Sequence, residues 1–98
     1  MQIEEVLGNR LRIKILKILN QMGELNVSEI ARRVGANHAA TMKHLKILEG
    51  EGILEHKMFG RIRLYRFNMN SVKARAVQNL IEGWEKSENT AKPFGTIK

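Results

Sequence analysis

Residues 25–52 read LNVSEIARRVGANHAATMKHLKILEGEG, and their spacing decides the fold. Asn26 stands three residues before Glu29, so its side chain can accept from the Glu29 amide while the Glu29 carboxylate reaches back, an Asx form of the capping box. A helix is therefore predicted to begin at Val27. Ile30, Ala31 and Val34 fall on one stripe, and Gly35 follows where the chain must take a positive φ to leave the helix. The result is a helix of roughly two turns. Asn37 can cap a second helix, whose apolar positions Thr41, Leu45 and Leu48 recur at steps of four and three before Gly50 and Gly52 end it. Its other face carries His38, Ala39, Met42, Lys43 and Lys46, polar and cationic, with small residues that let a backbone approach closely. Two short helices joined by a glycine turn, with a face of this kind, have the layout of a helix-turn-helix that enters a groove of double-stranded DNA.

The flanking sequence supplies the rest of a small domain. From Ile3 to Met22 the apolar residues Ile3, Val6, Leu7, Leu11, Ile15, Leu16, Ile18 and Leu19 keep a helical period, with Arg10, Arg12, Lys14 and Lys17 between them. Gly8 and Asn9 can divide this helix, Gly23 closes it, and Glu24 to Val27 suits an extended connector or a one-bridge strand. Beyond the helix-turn-helix, ILEHKMF and IRLYRF are two β-compatible runs separated by Gly60 and Arg61, which reads as a hairpin, or wing. Residues 56–75 hold six cations, Lys57, Arg61, Arg63, Arg66, Lys73 and Arg75, and no acid, a concentration that points to phosphate contact. Asn70 can cap a last helix with Val77, Leu80, Ile81 and Trp84 on one apolar stripe. That stripe and the Ile3, Val6, Leu7 edge exceed what one small motif can cover, which marks an interface between two copies.

Composition sets the limits. At 98 residues and 43% hydrophobic content the chain suits a single domain over residues 1–88, with residues 89–98, NTAKPFGTIK, as an irregular tail whose Phe94 and Ile97 are free to dock. Seventeen Lys and Arg against ten acids give +7, a balance that favours a polyanionic partner. All ten acids are Glu, and Cys is absent, which excludes Asp dyads, thiolate nucleophiles, disulfides and cysteine metal sites within one chain. No Gly-rich phosphate loop follows a strand and no Ser-His-acid set is present, so neither an enzyme nor a cofactor is expected. His38 and His44 point about 120° apart on one helix and cannot chelate one ion together. A zinc site would need His with Glu82 and Glu85 across a dimer, and no metal site is expected. No stretch approaches the roughly 18 apolar residues of a membrane span, and MQIEEVLGNR lacks a signal-peptide pattern, so a cytoplasmic protein with no membrane partner is expected.

For base reading, Lys43 can donate to guanine, His38 can donate or accept at a base edge, and Ala39 and Met42 can lie against a thymine methyl. Asn37, at the same helix end, belongs with these. Lys46, Arg32 and Arg33 are placed for phosphate, and Arg61 and Arg63 for an adjacent minor groove or its phosphates.

LGNRLRIKILKIL, then ELNVSEIARRVGANHAATMKHLKILEGEGIL, then a hairpin ending GRIRLYRF resemble the ArsR-type winged helix-turn-helix transcriptional regulators over about residues 6–68. The resemblance implies a mainly α chain with a small β-hairpin (α+β), in which N- and C-terminal helices form a homodimer and the second helix of the motif enters the major groove. Two positions depart from the family pattern. Metal-sensing members keep a pair of cysteines where this chain has Asn26 and Ser28, which speaks against thiolate metal sensing. The first-helix signature often has a proline after its asparagine, whereas this chain runs Gly8, Asn9, Arg10. The resulting expectation is a homodimeric repressor on a pseudo-palindromic duplex. The alternatives are a winged-helix protein-interaction module and an architectural chromatin protein with little sequence preference. Nothing in the sequence identifies a small-molecule effector.

Overall fold

Gly8 and Asn9 turn the first apolar run into two helices. The Gly8 amide donates to the Glu4 carbonyl at 3.0 Å, and a Cβ at Gly8 would lie 2.3 Å from that same oxygen, so only glycine closes the first helix this way. The Asn9 side chain then accepts from the Arg12 amide at 3.0 Å and starts the second. The computed structural model describes residues 1–97, with side chains through residue 89. In chain order the elements are α1 (Ile3–Leu7), α2 (Arg10–Met22), β1 (Glu24–Asn26), α3 (Val27–Val34), α4 (His38–Gly50), β2 (Leu54–Phe59), β3 (Ile62–Phe67) and α5 (Val72–Ile97).

The core forms where the apolar faces of these elements meet. Ile15, Leu16 and Leu19 of α2 pack with Ile30 and Val34 of α3, Leu45 and Leu48 of α4, Leu54, Tyr65 and Phe67 of the sheet, and Ala74 and Ile81 of α5. Burial of each large side chain stabilises the fold by about 1.5–3 kcal/mol. Val6 joins this core from α1. Strands β2 and β3 form the expected hairpin, paired from Leu54↔Phe67 to Phe59↔Ile62 around Gly60, whose φ of +63° suits the first position of a two-residue turn. The connector before α3 is a full strand: β1 lies antiparallel on the other edge of β3, from Glu24↔Arg66 to Asn26↔Leu64, giving a sheet of order β1-β3-β2. No helix among the described residues is long and apolar enough to cross a membrane.

Several local expectations are corrected. Asn26 caps α3 as predicted, accepting from the Glu29 amide at 2.8 Å. Glu29 does not reach back, because two arginines one turn further on take its carboxylate. The cap of α5 is Ser71, whose hydroxyl accepts from the Ala74 amide at 3.2 Å, because the turn closed by the Ser71 amide on the Asn68 carbonyl at 2.9 Å leaves Ser71, not Asn70, as the residue before the helix. Helix α5 continues to Ile97 across the segment expected to be irregular. The docking expected of Phe94 and Ile97 lies outside the described side chains.

Arg12, a cation between the apolar positions of α2, is only 8% exposed. Its guanidinium donates through Nε to the Val6 carbonyl at 3.0 Å and through Nη2 to the Glu5 carbonyl at 2.8 Å, closing the C-terminal end of α1 with a cation. Nη1 faces Nδ1 of His44 on α4 at 3.4 Å. Arginine can only donate, so His44 is neutral in this arrangement, with its proton on Nε2. Burial, then the charges of Arg12 and Lys43, push the His44 imidazole below its ordinary value.

Two outcomes are expected. Arg12→Ala should lower the unfolding free energy by about 1.5–3 kcal/mol, read as a shifted urea midpoint, because its hydrogen bonds are made by a charged donor. Because folding favours the neutral His44 ring, the unfolded chain binds the proton first, at about pH 6.5. The corresponding stability is present above that pH and lost as pH falls below it. In His44→Gln, the fall in urea midpoint between about pH 7 and pH 5 should therefore be smaller than in the wild type.

Candidate nucleic-acid interface

Helix α4 is built with one side fixed and one side open. Thr41, Leu45 and Leu48 are buried, and the Thr41 hydroxyl donates to the Asn37 carbonyl at 2.8 Å. The Asn37 side chain accepts from the Ala40 amide at 2.7 Å, so its oxygen serves the cap. Gly35, at φ +73°, makes the turn that lets α3 and α4 pack against each other. With that side anchored, His38, Ala39, Lys43 and Lys46 lie exposed along the 13-residue helix, about 20 Å long. Met42 is half-buried, packed against the core with its sulfur 3.9 Å from the Tyr65 hydroxyl. It is a packing residue as well as a surface one.

The wing closes a groove against the start of this helix. His38 and Met42 of α4, Asn26, Val27 and Ser28 at the start of α3, and Met58, Arg61, Ile62 and Arg63 of the wing line it together. No carboxylate is among these residues, so the groove combines cationic and hydrogen-bonding groups with apolar walls. The structure thus brings four of the sequence-predicted residues, His38, Met42, Arg61 and Arg63, into one place. Sequence reasoning missed the opening residues of α3 and the apolar pair Met58 and Ile62. The latter were detectable, since both flank the predicted Gly60–Arg61 turn.

Charge pairing thins the basic surface. Arg32 and Arg33 both bind the Glu29 carboxylate, Arg33 through Nε at 2.9 Å, and the two guanidiniums hold that carboxyl below the usual carboxylate range. Arg33 also meets the Met22 sulfur at 3.9 Å and lines a different groove with Lys14, Lys17 and Gln21. It is not brought to the wing. Of the six cations between residues 56 and 75, Lys57 pairs with Glu24 at 3.2 Å, Arg66 with Glu55 at 2.8 Å and Lys73 with Glu51 at 3.2 Å. Arg75 donates to the Met69 carbonyl at 2.9 Å. Arg61 and Arg63 are left without an ion pair among the described residues, and they are the two that line the groove.

The histidines scatter: His38 faces the groove, His44 faces Arg12 and His56 faces Glu49. Among the described residues no group of three or more His, Asp or Glu side chains is arranged to hold a metal ion. The residues expected at a dimer interface also divide. Val6 and Ile81 are 4% and 8% exposed and belong to the monomer's core, which fills from α1 and α5 before any partner arrives. Ile3, Leu80 and Trp84 are exposed and Leu7 and Val77 half-buried. Leu80, Ile81 and Trp84 face Ile13 across an apolar groove between α2 and α5, with the Lys17–Glu85 ion pair, 3.5 Å, at its edge.

The model of the bacterial regulatory protein arsR family matches residues 9–56. An uncharacterized HTH-type transcriptional regulator of Bacillus subtilis (strain 168), YuzN, is 32% identical over 88 residues, covering 84% of this chain and 90% of that protein. The chain belongs to the ArsR family. It is accordingly a winged-helix transcriptional regulator and not an enzyme. Another relative of this ArsR-family chain is a cadmium resistance transcriptional regulatory protein CadC homolog of Staphylococcus aureus, 28% identical over 72 residues, or 74% of this chain and 60% of that one. Among solved structures, the homodimeric winged helix-turn-helix DNA-binding domain of Mb0332 from Mycobacterium bovis is 27% identical. It superposes with a TM-score of 0.69, covering 84% of this chain and 73% of that domain.

Proposed function

We propose that this ArsR-family regulator binds double-stranded DNA as a homodimer, with α4 in the major groove and the wing on the flanking backbone or minor groove, and that it acts as a repressor by occluding polymerase. The observation that carries this reading is the acid-free groove joining the start of α4 to the wing, with the only two wing cations lacking an ion pair among the described residues on its wall. In this arrangement His38, Ala39 and Lys43 read base edges, Met42 adds apolar contact, and Lys46 and Arg32 meet phosphate. Asn37 contributes through its cap and its remaining amide hydrogens.

The homodimer rests on two supports. Ile3, Leu80 and Trp84 are 71%, 57% and 66% exposed on the first and last helices, a large apolar surface for a small domain. The Mb0332 domain, similar in fold and sequence, is described as homodimeric and DNA-binding. Two copies related by a two-fold axis would set their α4 helices about 34 Å apart, one turn of duplex.

Selection from random duplex DNA at about 150 mM salt, where non-specific attraction is partly screened, tests the whole reading. The expected product is a pseudo-palindrome with half-sites one turn apart. Enrichment of no sequence would select the architectural alternative, and no duplex binding the protein-interaction one. On the selected site, Lys43→Ala should cost about 1–3 kcal/mol and relax base preference at one half-site position. An equal loss on every sequence would remove its base-reading role. Arg61→Ala should weaken binding to all sequences alike and make the salt dependence shallower. An unchanged slope would take the wing out of the phosphate footprint.

A further inference from the structure

The tip of the wing is apolar as well as cationic. Phe59 and Ile62 sit opposite each other across the last pair of the hairpin, 70% and 47% exposed, and Met58 beside them is 56% exposed. None of the three belongs to the core or packs against it. A two-residue turn needs no such residues, and beyond the Phe59–Ile62 cross-strand contact the three large apolar side chains stand in water. Their neighbours Arg61 and Arg63 carry no ion pair among the described residues, and the chain has no acid between Glu55 and Glu82. Met58 and Ile62 also line the groove that runs to His38 on α4. An apolar point flanked by unneutralised cations, continuous with the groove, complements a surface whose ridges are anionic and whose interior is apolar. The minor groove of a duplex has that form, with phosphate rims, deoxyribose walls and stacked bases beneath.

We propose that Phe59, backed by Ile62, is a wedge that enters the minor groove beside the site read by α4 and unstacks a base step there, while Arg61 and Arg63 grip the two phosphate rims. This inference rests on the duplex-binding reading and adds a second source of specificity to it. Pyrimidine–purine steps unstack most easily, so TA and CA steps are preferred at a flanking position that makes no hydrogen bond with the protein.

The test uses the full chain and the duplex recovered by selection, with 2-aminopurine placed at successive flanking steps. Wild-type protein is expected to raise the fluorescence at one step on each side. Phe59→Ala should abolish that rise and weaken binding about ten-fold or more, with the salt slope unchanged because no cation is removed. Its urea midpoint is expected to stay at the wild-type value, as the side chain is exposed. Phe59→Leu should recover part of the affinity. Binding and fluorescence of Phe59→Ala equal to wild type would overturn the wedge while leaving the duplex-binding reading intact. Wild-type protein that binds no duplex would overturn both. If Phe59→Ala instead lowered the sedimentation coefficient of the DNA-free protein, the apolar tip would be a contact between copies, and the wedge would fall.

Discussion

Asn26 ends a strand and begins a helix in one residue. Its backbone is paired with Leu64 of the wing, and its side chain caps α3 through the Glu29 amide. Both walls of the groove meet at this junction, because α4 packs on α3 and the hairpin is paired to β1 through β3. Without β1 the hairpin would be a two-stranded ribbon, tied to the helices only at its base, where Leu54, Tyr65 and Phe67 join the core. With it, the separation between α4 and the wing becomes a property of the sheet as well as of the core. The residue type follows from the demand: asparagine tolerates the extended backbone that the strand needs and offers the acceptor that the helix needs.

A second constraint lies on the opposite side of the core. Arg12 occupies a position where an apolar residue would pack, and its burial is tolerable because main-chain carbonyls at the end of α1, rather than a carboxylate, receive its hydrogen bonds. The short helix α1 carries no basic residue in its own last turn, so this cation supplies from α2 what α1 lacks. Through His44 the same guanidinium touches α4. One side chain therefore joins the element bearing the exposed Ile3 to the element bearing the groove-facing residues.

How much of this the sequence discloses depends on how far each signal reaches along the chain. The two helices of the motif, the Asn26 and Asn37 caps, the Gly35 turn and the Gly60 hairpin all depend on residues within four positions of one another, and all are legible. Strand β1 is legible only as an extended connector or a one-bridge strand, since its three residues pair with partners some forty positions away and carry no alternation of their own. Arg12 is a different case: positions 12, 15, 16 and 19 share one helical stripe, yet charge makes the first read as solvent-facing when the geometry says otherwise. Asn70 and Ser71 are both good caps, and a local turn at Asn68 decides between them. The basic run over residues 56–75 misleads most, because Glu24, Glu51 and Glu55, which neutralise half of it, lie outside the run itself. A linear count of cations therefore overstates the positive surface, and folding concentrates it at the wing tip.

The Glu29 carboxylate, shared by Arg32 and Arg33, bears on the time a regulator spends in the wrong place. Affinity for arbitrary duplex scales with the number of counterions a protein displaces, and each internally neutralised guanidinium removes part of one. In duplex binding as proposed above, two arginines held by a carboxylate on the surface of α3 displace fewer counterions, so each stop on irrelevant sequence is shorter and the three-residue cluster favours quick search over firm hold.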